Sequence, residues 1–388
     1  MPTWIIFLLV LSVLVLVHEL GHFLAAIWLK IRVEEFAFGL PFTKALFKFK
    51  WKNTQYSIYP LLFGGFVRLL GEEGPVEFDG KTASNNSDYW SRGKKQRMMV
   101  VGAGVVMNVL LALASFGILY GVVGVPSGSR SKVTVVQVAA DSPAALAGIR
   151  PLDRILKVEG KDILGTEQFS EVVRSWGGVK VNMTIERGET TPLFEGIAEG
   201  PIEREVTAVV PRKNPPEGQG ALGVTIADYP YIQVKTCSML SPTCSFEIMR
   251  QGVKSTGVWM GRVLSGLRGI GKSLVQGKAP EGVAGPVGIY QLTGFVAAEG
   301  FFPLLELVAV LSVNLAVFNV LPIPALDGGR MLFIWLEYFL KKRIPLAVEQ
   351  KVNSWGMAFL LTLMALISLQ DVLRMGWLSG LWTKIVGK

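Results

Sequence analysis

Apolar residues are unevenly spread along this chain of 388 residues. They gather into runs long enough to cross a bilayer, which takes about 20 consecutive apolar residues in a helix. Such runs lie at about 4–29, 98–124, 301–321 continuing into 331–340, and 355–373. The longest interval between them, 125–300, has a soluble composition. After the first run the period shifts. Phe36, Phe38 and Leu40, then Leu46, Phe47, Phe49 and Trp51, then Tyr56, Ile58 and Tyr59 suggest short strands, with turn signals at Gly39–Pro41 and Lys52-Asn53. These strands are too short to span, so the pattern predicts a β-hairpin dipping into the membrane beside the first helix. A Gly-hinged apolar segment, Leu62 to Arg68, follows it. Residues 72–97 are polar, with Asn85-Asn86-Ser87-Asp88, and read as a connector.

Inside the soluble interval, Val133–Val138 is a β-branched strand. It precedes Asp141-Ser142-Pro143-Ala144-Ala145-Leu146-Ala147-Gly148-Ile149 and then Asp153 to Ile163. Strand, short helix, turn and strand in that order resemble a bacterial PDZ domain, although Leu152 stands where that pattern usually has glycine. The resemblance implies a groove helix at 167–176, strands at 180–187 and 205–211, and a loop at Leu222-Gly223-Val224 that either receives a peptide carboxylate or is a plain turn. Further on, Phe246–Val275 alternates apolar residues at helical spacing with Arg250, Lys254, Arg262, Arg268 and Lys272. That pattern fits a basic amphipathic helix on the membrane surface or a helix packed on the PDZ domain.

Net charge is +9, but its placement follows topology. Lys30, Arg32, Lys44, Lys48, Lys50 and Lys52 follow the first span, Arg92, Lys94, Lys95 and Arg97 precede the second, and Lys341, Lys342 and Arg343 precede the fourth. By the positive-inside rule, 30–97 and 341–352 are cytoplasmic and the large insert is external. No base-reading or phosphate-binding motif accompanies the charge, so no nucleic-acid partner is expected. The two cysteines, Cys237 and Cys244, both fall in the external part, where a disulfide is compatible with the compartment.

The expected fold is a polytopic α-helical membrane protein with about four transmembrane helices, a membrane-dipping β-hairpin and one inserted α+β PDZ domain. Its parts are a first span at 1–30, hairpin and connector at 31–97, a second span at 98–124, and the PDZ domain at 125–228. A surface helix and linker occupy 229–299, a third span lies at 300–342 and a fourth at 353–376.

The chemistry starts in the first apolar run with His18-Glu19-Leu20-Gly21-His22, which holds the only two histidines of the chain. Residues four apart share one helix face, so both imidazoles can grip one metal ion while Glu19 stands beside its water. A carboxylate near the bilayer centre costs roughly 2.5–3.5 kcal/mol on insertion scales, which makes an accidental triplet there a poor explanation. A signal peptide explains the run no better, because it lacks a basic start and a small-residue cleavage site. Hydrolytic zinc takes three protein ligands and keeps one position open. With no further histidine, the third is a carboxylate or, less readily, a cysteine. Glu306 and Asp327 lie in the third apolar region, and Asp327 is favoured. Pro322 and Pro324 break the helix just before it, and Gly328-Gly329 permits close backbone approach.

HExxH in a first span with a later Asn319-x-x-Pro-x-Pro-x-Leu-Asp-Gly resembles the site-2 protease family of intramembrane zinc metalloproteases. The PDZ insert, and Gly285-Pro286-Val287-Gly288-Ile289 before the third span, resemble its bacterial sigma-E-pathway branch. The better-known members have two PDZ domains and this chain has one. The resemblance implies Zn2+ held by His18, His22 and Asp327, with Glu19 as catalytic base. Asn314 and Asn319 would hydrogen-bond the exposed substrate backbone, unless they only bond helix to helix. Asn108, in the second span, reads as a packing residue. Implied partners are the lipid bilayer and single-span substrates such as anti-sigma factors or signal-peptide remnants. The PDZ groove would either hold a C-terminal peptide or act as a filter on substrate size. The implied place is the bacterial inner membrane, with the PDZ domain on the periplasmic side. Two other readings compete: a zincin anchored to the membrane, whose motif would lie outside the apolar run, and a non-catalytic PDZ adaptor with a structural metal site, which would need a fourth ligand.

Overall fold

A computed structural model of the chain describes residues 2–39, 41, 43–60, 64–72, 74, 77–78, 81–82, 88–194, 196–216, 219–236, 241–276 and 285–374. The chain divides into two compact units, one made of Met1–Phe116 with Gly252–Lys388 and the other of Gly117–Gln251. The first unit opens with α1 (Thr3–Trp28), an uninterrupted apolar helix. It stops where Lys30 turns left-handed at φ 56° and Ile31 N–H reaches back to Ala26 O at 2.8 Å, a closure that satisfies an otherwise orphaned carbonyl.

Strands β1 (Val33–Phe38), β2 (Phe47–Trp51), β3 (Thr54–Ile58) and β4 (Gly65–Leu69) then form one sheet in the order β2-β3-β1-β4. Strands β2 and β3 pair antiparallel, turning through Lys52 at φ 53°. They are part of a larger sheet, because β1 runs parallel to β3 and antiparallel to β4. The glycine-hinged segment supplies β4, with Gly65 opposite Phe38. Two adjacent glycines had hidden its alternation. Of the polar connector, β5 (Glu77–Phe78) and β6 (Lys81–Thr82) form a short ladder. Leu40, Leu62, Phe63 and Asn85-Asn86-Ser87 lie outside the described residues. Then comes α2 (Lys94–Val122).

The second unit contains β7 (Val125–Val138), α3 (Pro143–Leu146), β8 (Arg154–Val158), β9 (Lys161–Asp162), α4 (Thr166–Ser175), β10 (Val181–Leu193), β11 (Gly196–Val209) and β12 (Val224–Lys235). The sheet order is β10-β11-β12-β7-β8-β9, and β8 also pairs with β10, which brings the sheet round on itself. Ser142 caps α3 by accepting from Ala145 N–H at 3.1 Å. Phe169 and Val173 of α4 close over a core of Val133, Val135, Ile155, Val181, Met183 and Ile185. Strands β10 and β11 are longer than their sequence pattern suggested, and β12 runs on to Lys235.

The remaining helices are α5 (Pro242–Val275), which enters the first unit at Gly252, and then α6 (Pro286–Glu299), α7 (Phe301–Val320), α8 (Asp327–Leu340) and α9 (Leu346–Arg374) within it. Helix α5 does more than coat a surface. Its Trp259, Met260, Val263 and Leu267 pack on Ala112, Val313 and Val317 of the spanning helices. The stretch expected as linker contains α6, whose N-terminus is held by Asp371 accepting from Gly285 N–H at 2.9 Å and Gly288 N–H at 3.0 Å. The third apolar region is split by Pro322 and Pro324 into α7 and α8, with Ala325 left-handed at φ 75° between them. Among the described residues, four helices are long and apolar enough to cross a membrane: Thr3–Trp28, Lys94–Val122, Phe301–Val320 and Leu346–Asp371. Cys244 is disulfide-bonded, and Cys237 lies outside the described residues.

Candidate metal centre

Helix α1 presents His18 and His22 one turn apart, and the helix break before α8 delivers Asp327 to both. His18 Nε2 and His22 Nε2 are 3.2 Å apart, and Asp327 Oδ2 lies 3.0 Å from the first and 3.3 Å from the second. Among the described residues, this trio is the grouping of His, Cys, Asp and Glu whose ligand atoms converge closely enough to hold an ion. Glu306, the competing acid, is buried on α7 and stands outside the trio.

The approach depends on small residues. A Cβ on Gly104 would stand 2.5 Å from His22 Nε2, and one on Gly21 would stand 2.3 Å from Ala103 O. Only glycine at these positions lets α2 lie against the histidines. The Gly328-Gly329 pair does the same for Asp327: their Cβ atoms would fall 1.9 Å from Leu321 O and 2.6 Å from Ile323 O. The sequence reading anticipated the second pair and overlooked the first. A small-residue run, Gly102-Ala103-Gly104, was the available signal.

Each imidazole is oriented from behind by its other nitrogen. His22 Nδ1 bonds to Val100 O at 2.9 Å, which fixes that proton on Nδ1 and turns the Nε2 lone pair inward. His18 Nδ1 lies 3.0 Å from the side-chain amide of Asn108. With Asn108 Nδ2 donating, His18 Nε2 would carry the proton, while the buried Asn108 Oδ1 finds no hydrogen-bond partner. Exchanging the amide oxygen and nitrogen, which have nearly the same shape, removes the conflict at His18. Oδ1 then accepts from Nδ1–H and the second Nε2 lone pair is free. Asn108 is therefore more than the packing residue expected of it.

Three ligand atoms, two of them nitrogen lone pairs, converge on one point without enough protons to satisfy one another, and Asp327 Oδ2 is buried without a hydrogen-bond partner. That donor set fits a zinc-type ion with one position left open. A cavity of about 200 Å³ meets the trio, with Glu19, Val67, Leu69 and Glu72 also in its wall. Strand β4 runs along the helix here. A Cβ on Gly65 would be 3.4 Å from Glu19 Cγ. Asn314 and Asn319 are not among the residues lining this cavity. They sit on α7 without a hydrogen bond among the described residues.

Apolar spans around a His2Asp trio with a free carboxylate beside it define a multi-pass membrane protein of the metallohydrolase class. The chain belongs to peptidase family M50, whose family model matches residues 6–363. It is 34% identical over 374 residues to a protein of Clostridium perfringens named "Putative zinc metalloprotease", with 95% of this chain and 98% of that one aligned. A protein of the same designation in Agrobacterium fabrum is 28% identical over 380 residues, covering 94% of each chain. An Arabidopsis thaliana protein named "Probable membrane metalloprotease", chloroplastic, is 32% identical over 386 residues, covering 95% of this chain and 80% of that one. The resemblance to site-2 proteases drawn from the two motifs is borne out.

Proposed function

We propose that this chain is an intramembrane zinc endopeptidase that cuts transmembrane segments of single-span proteins, such as anti-sigma factors or remnant signal peptides, in regulated intramembrane proteolysis. The observation that carries the proposal is the convergence of His18, His22 and Asp327 beside Glu19 within apolar helices. His18, His22 and Asp327 are the zinc ligands. A zinc ion held there supplies Lewis acidity, polarising the scissile carbonyl and making water a nucleophile near neutral pH. Glu19 accepts a proton from the attacking water as its oxygen bonds to the carbonyl carbon. The C–N bond then breaks, and Glu19 returns that proton to the amine nitrogen. Asn108 and Val100 O hold the imidazoles in the ligating tautomer.

A substrate helix must unwind before its peptide bonds can be attacked, and in lipid each orphaned backbone group costs several kcal/mol. Strand β4 offers the replacement partners. It pairs only with β1 among the described residues, so its other edge is free for strand addition beside Glu19. The platform is thus the sheet edge at 65–69. Asn314 and Asn319 on α7 serve the substrate backbone. The hairpin dips into the membrane through Phe47, Phe49 and Trp51, all about half exposed or more.

The external β module is a PDZ domain on the periplasmic side of a bacterial inner membrane, supported by the flanking basic loops. Its order of strand, capped α3, β8 and α4 beside β12 supports that assignment. Gly223 is left-handed at φ 70° and gives its N–H to Gly220 O at 2.9 Å, which favours a turn over a carboxylate cradle. The module accordingly acts as a filter on substrate ectodomains.

Cleavage of a model single-span substrate in proteoliposomes, with bound zinc counted, tests the proposal. Glu19→Gln should keep about one zinc and lose cleavage by roughly 10²–10⁴-fold, the range for a general base. Asp327→Ala should lose both. Cleavage by Glu19→Gln would remove the base, and a zinc-bound wild type that never cuts would favour a non-catalytic adaptor.

A further inference from the structure

A second cavity, of about 390 Å³, adjoins the metal cavity and is lined by Arg68 on β4 and by Leu346, Glu349, Gln350 and Asn353 on α9. Phe66, Val67, Glu72 and Arg330 line both cavities. On this shared wall the Glu72 carboxylate is ion-paired with Arg330. The same carboxylate holds a third group, because its Oε2 accepts from Leu69 N–H at 3.2 Å. Leu69 is the last residue of β4, and Arg330 lies one turn after Asp327 on α8. One carboxylate therefore ties the end of the exposed strand edge to the helix that carries the acidic ligand.

We propose that Glu72 and Arg330 form a latch that fixes β4 against α8 and closes the wall between the metal cavity and the second cavity. The inference rests on the zinc reading above. Both are positioning residues: Glu72 acts through β4 and Arg330 through the first turn of α8. A charge-assisted pair holds two elements in one geometry better than a neutral contact does, and guanidinium and carboxylate suit each other in shape. With the latch shut, a strand added to β4 meets Asp327 and Glu19 in a fixed register. With it open, the metal cavity joins the second cavity, and hydrophilic molecules can reach the ion.

The test uses the zinc-loaded full chain in detergent, challenged with EDTA, a hydrophilic chelator, and reads the rate of zinc loss. Glu72→Gln keeps the size of its side chain, Arg330→Gln shortens its own, and each removes the ion pair. Each should release zinc about tenfold faster than wild type, as expected for groups that position metal ligands. Arg330→Lys keeps the charge and should stay near the wild-type rate. The double variant Glu72→Gln/Arg330→Gln should be no faster than the faster single, since each change breaks the same contact. Melting midpoints separate this from unfolding, and Glu72→Gln against Arg330→Lys carries the comparison if Arg330→Gln does not fold. Single variants that release zinc at the wild-type rate, or a double variant whose effects multiply, overturn the latch. A wild type that binds no zinc overturns the metal reading beneath it instead.

Discussion

In the β module, Asp153 and Glu186 are 1% and 2% exposed, and cations of the module meet both. Arg187 embraces Asp153 with Nε at 2.8 Å and Nη2 at 2.7 Å, and Glu186 receives Lys132 Nζ at 2.8 Å and Arg204 Nε at 3.1 Å. In the metal centre, His18, His22 and Asp327 are also buried or half-buried, but they face one another as three acceptors-in-waiting, backed by Asn108 and Val100. Buried charge that is neutralised from within serves stability. Buried ligands that converge without satisfying one another are poised for an ion from outside, and their cost must be met by the helices that hold them.

The largest effect that would break this comparison is at Gly104. Gly104→Ala places a methyl where His22 Nε2 is and should weaken zinc binding by about 100-fold, the upper end for disturbed ligand support. Competition with a chelating dye measures it, and protease resistance of the β module should not change. Asn108→Leu removes the partner of His18 Nδ1 and should cost about 10-fold in zinc affinity with the fold retained. A variant that binds zinc as tightly as wild type would return Asn108 to a packing role.

On the other side of the comparison stands Glu186. Burial alone would raise its pKa, but the hydrogen bond and charge of Lys132, with Arg204 and Arg154, outweigh burial and hold it below the usual value. A depressed folded pKa contributes stability above the unfolded value of about 4.3 and loses it as pH falls through the folded value. Proteolytic protection of the module should therefore decline in acid. Glu186→Gln should weaken protection at pH 7, flatten that acid limb and leave zinc content unchanged.

The smallest effect is at Leu152, where the PDZ-type pattern has glycine. Leu152 is left-handed at φ 72° and 54% exposed. Leu152→Gly relieves a cost of about 1–2 kcal/mol for an L-residue in that region, less about 0.5–1 kcal/mol for glycine's extra chain entropy. A net gain of about 0.5–1 kcal/mol should appear as a higher melting midpoint of the module.

Much of this protein was legible in its sequence because the signals are local or compositional. Twenty apolar residues in a row can only be satisfied as a helix in lipid, and HExxH on one helix places two imidazoles and a carboxylate together by helix geometry alone. Pro322 and Pro324 announced a helix break before Asp327 and Gly328-Gly329 a close backbone approach after it, and the distances to Leu321 O and Ile323 O, too short for a Cβ, show why glycine stands there. Strand β4 was missed because adjacent glycines blur a period of two, and a strand's partner is chosen by neighbours distant in sequence. Asn108, Gly104 and the Glu72–Arg330 pair were hidden for the same reason. Each acquires its meaning from a residue 80 or more positions away. The sequence determined the apolar spans and set His18, Glu19 and His22 on one helix, since covalent order and helical period suffice for those. Only the tertiary structure decided which nitrogen faces inward, which strand lies beside Glu19 and what holds that strand in place, because these depend on how separate segments pack.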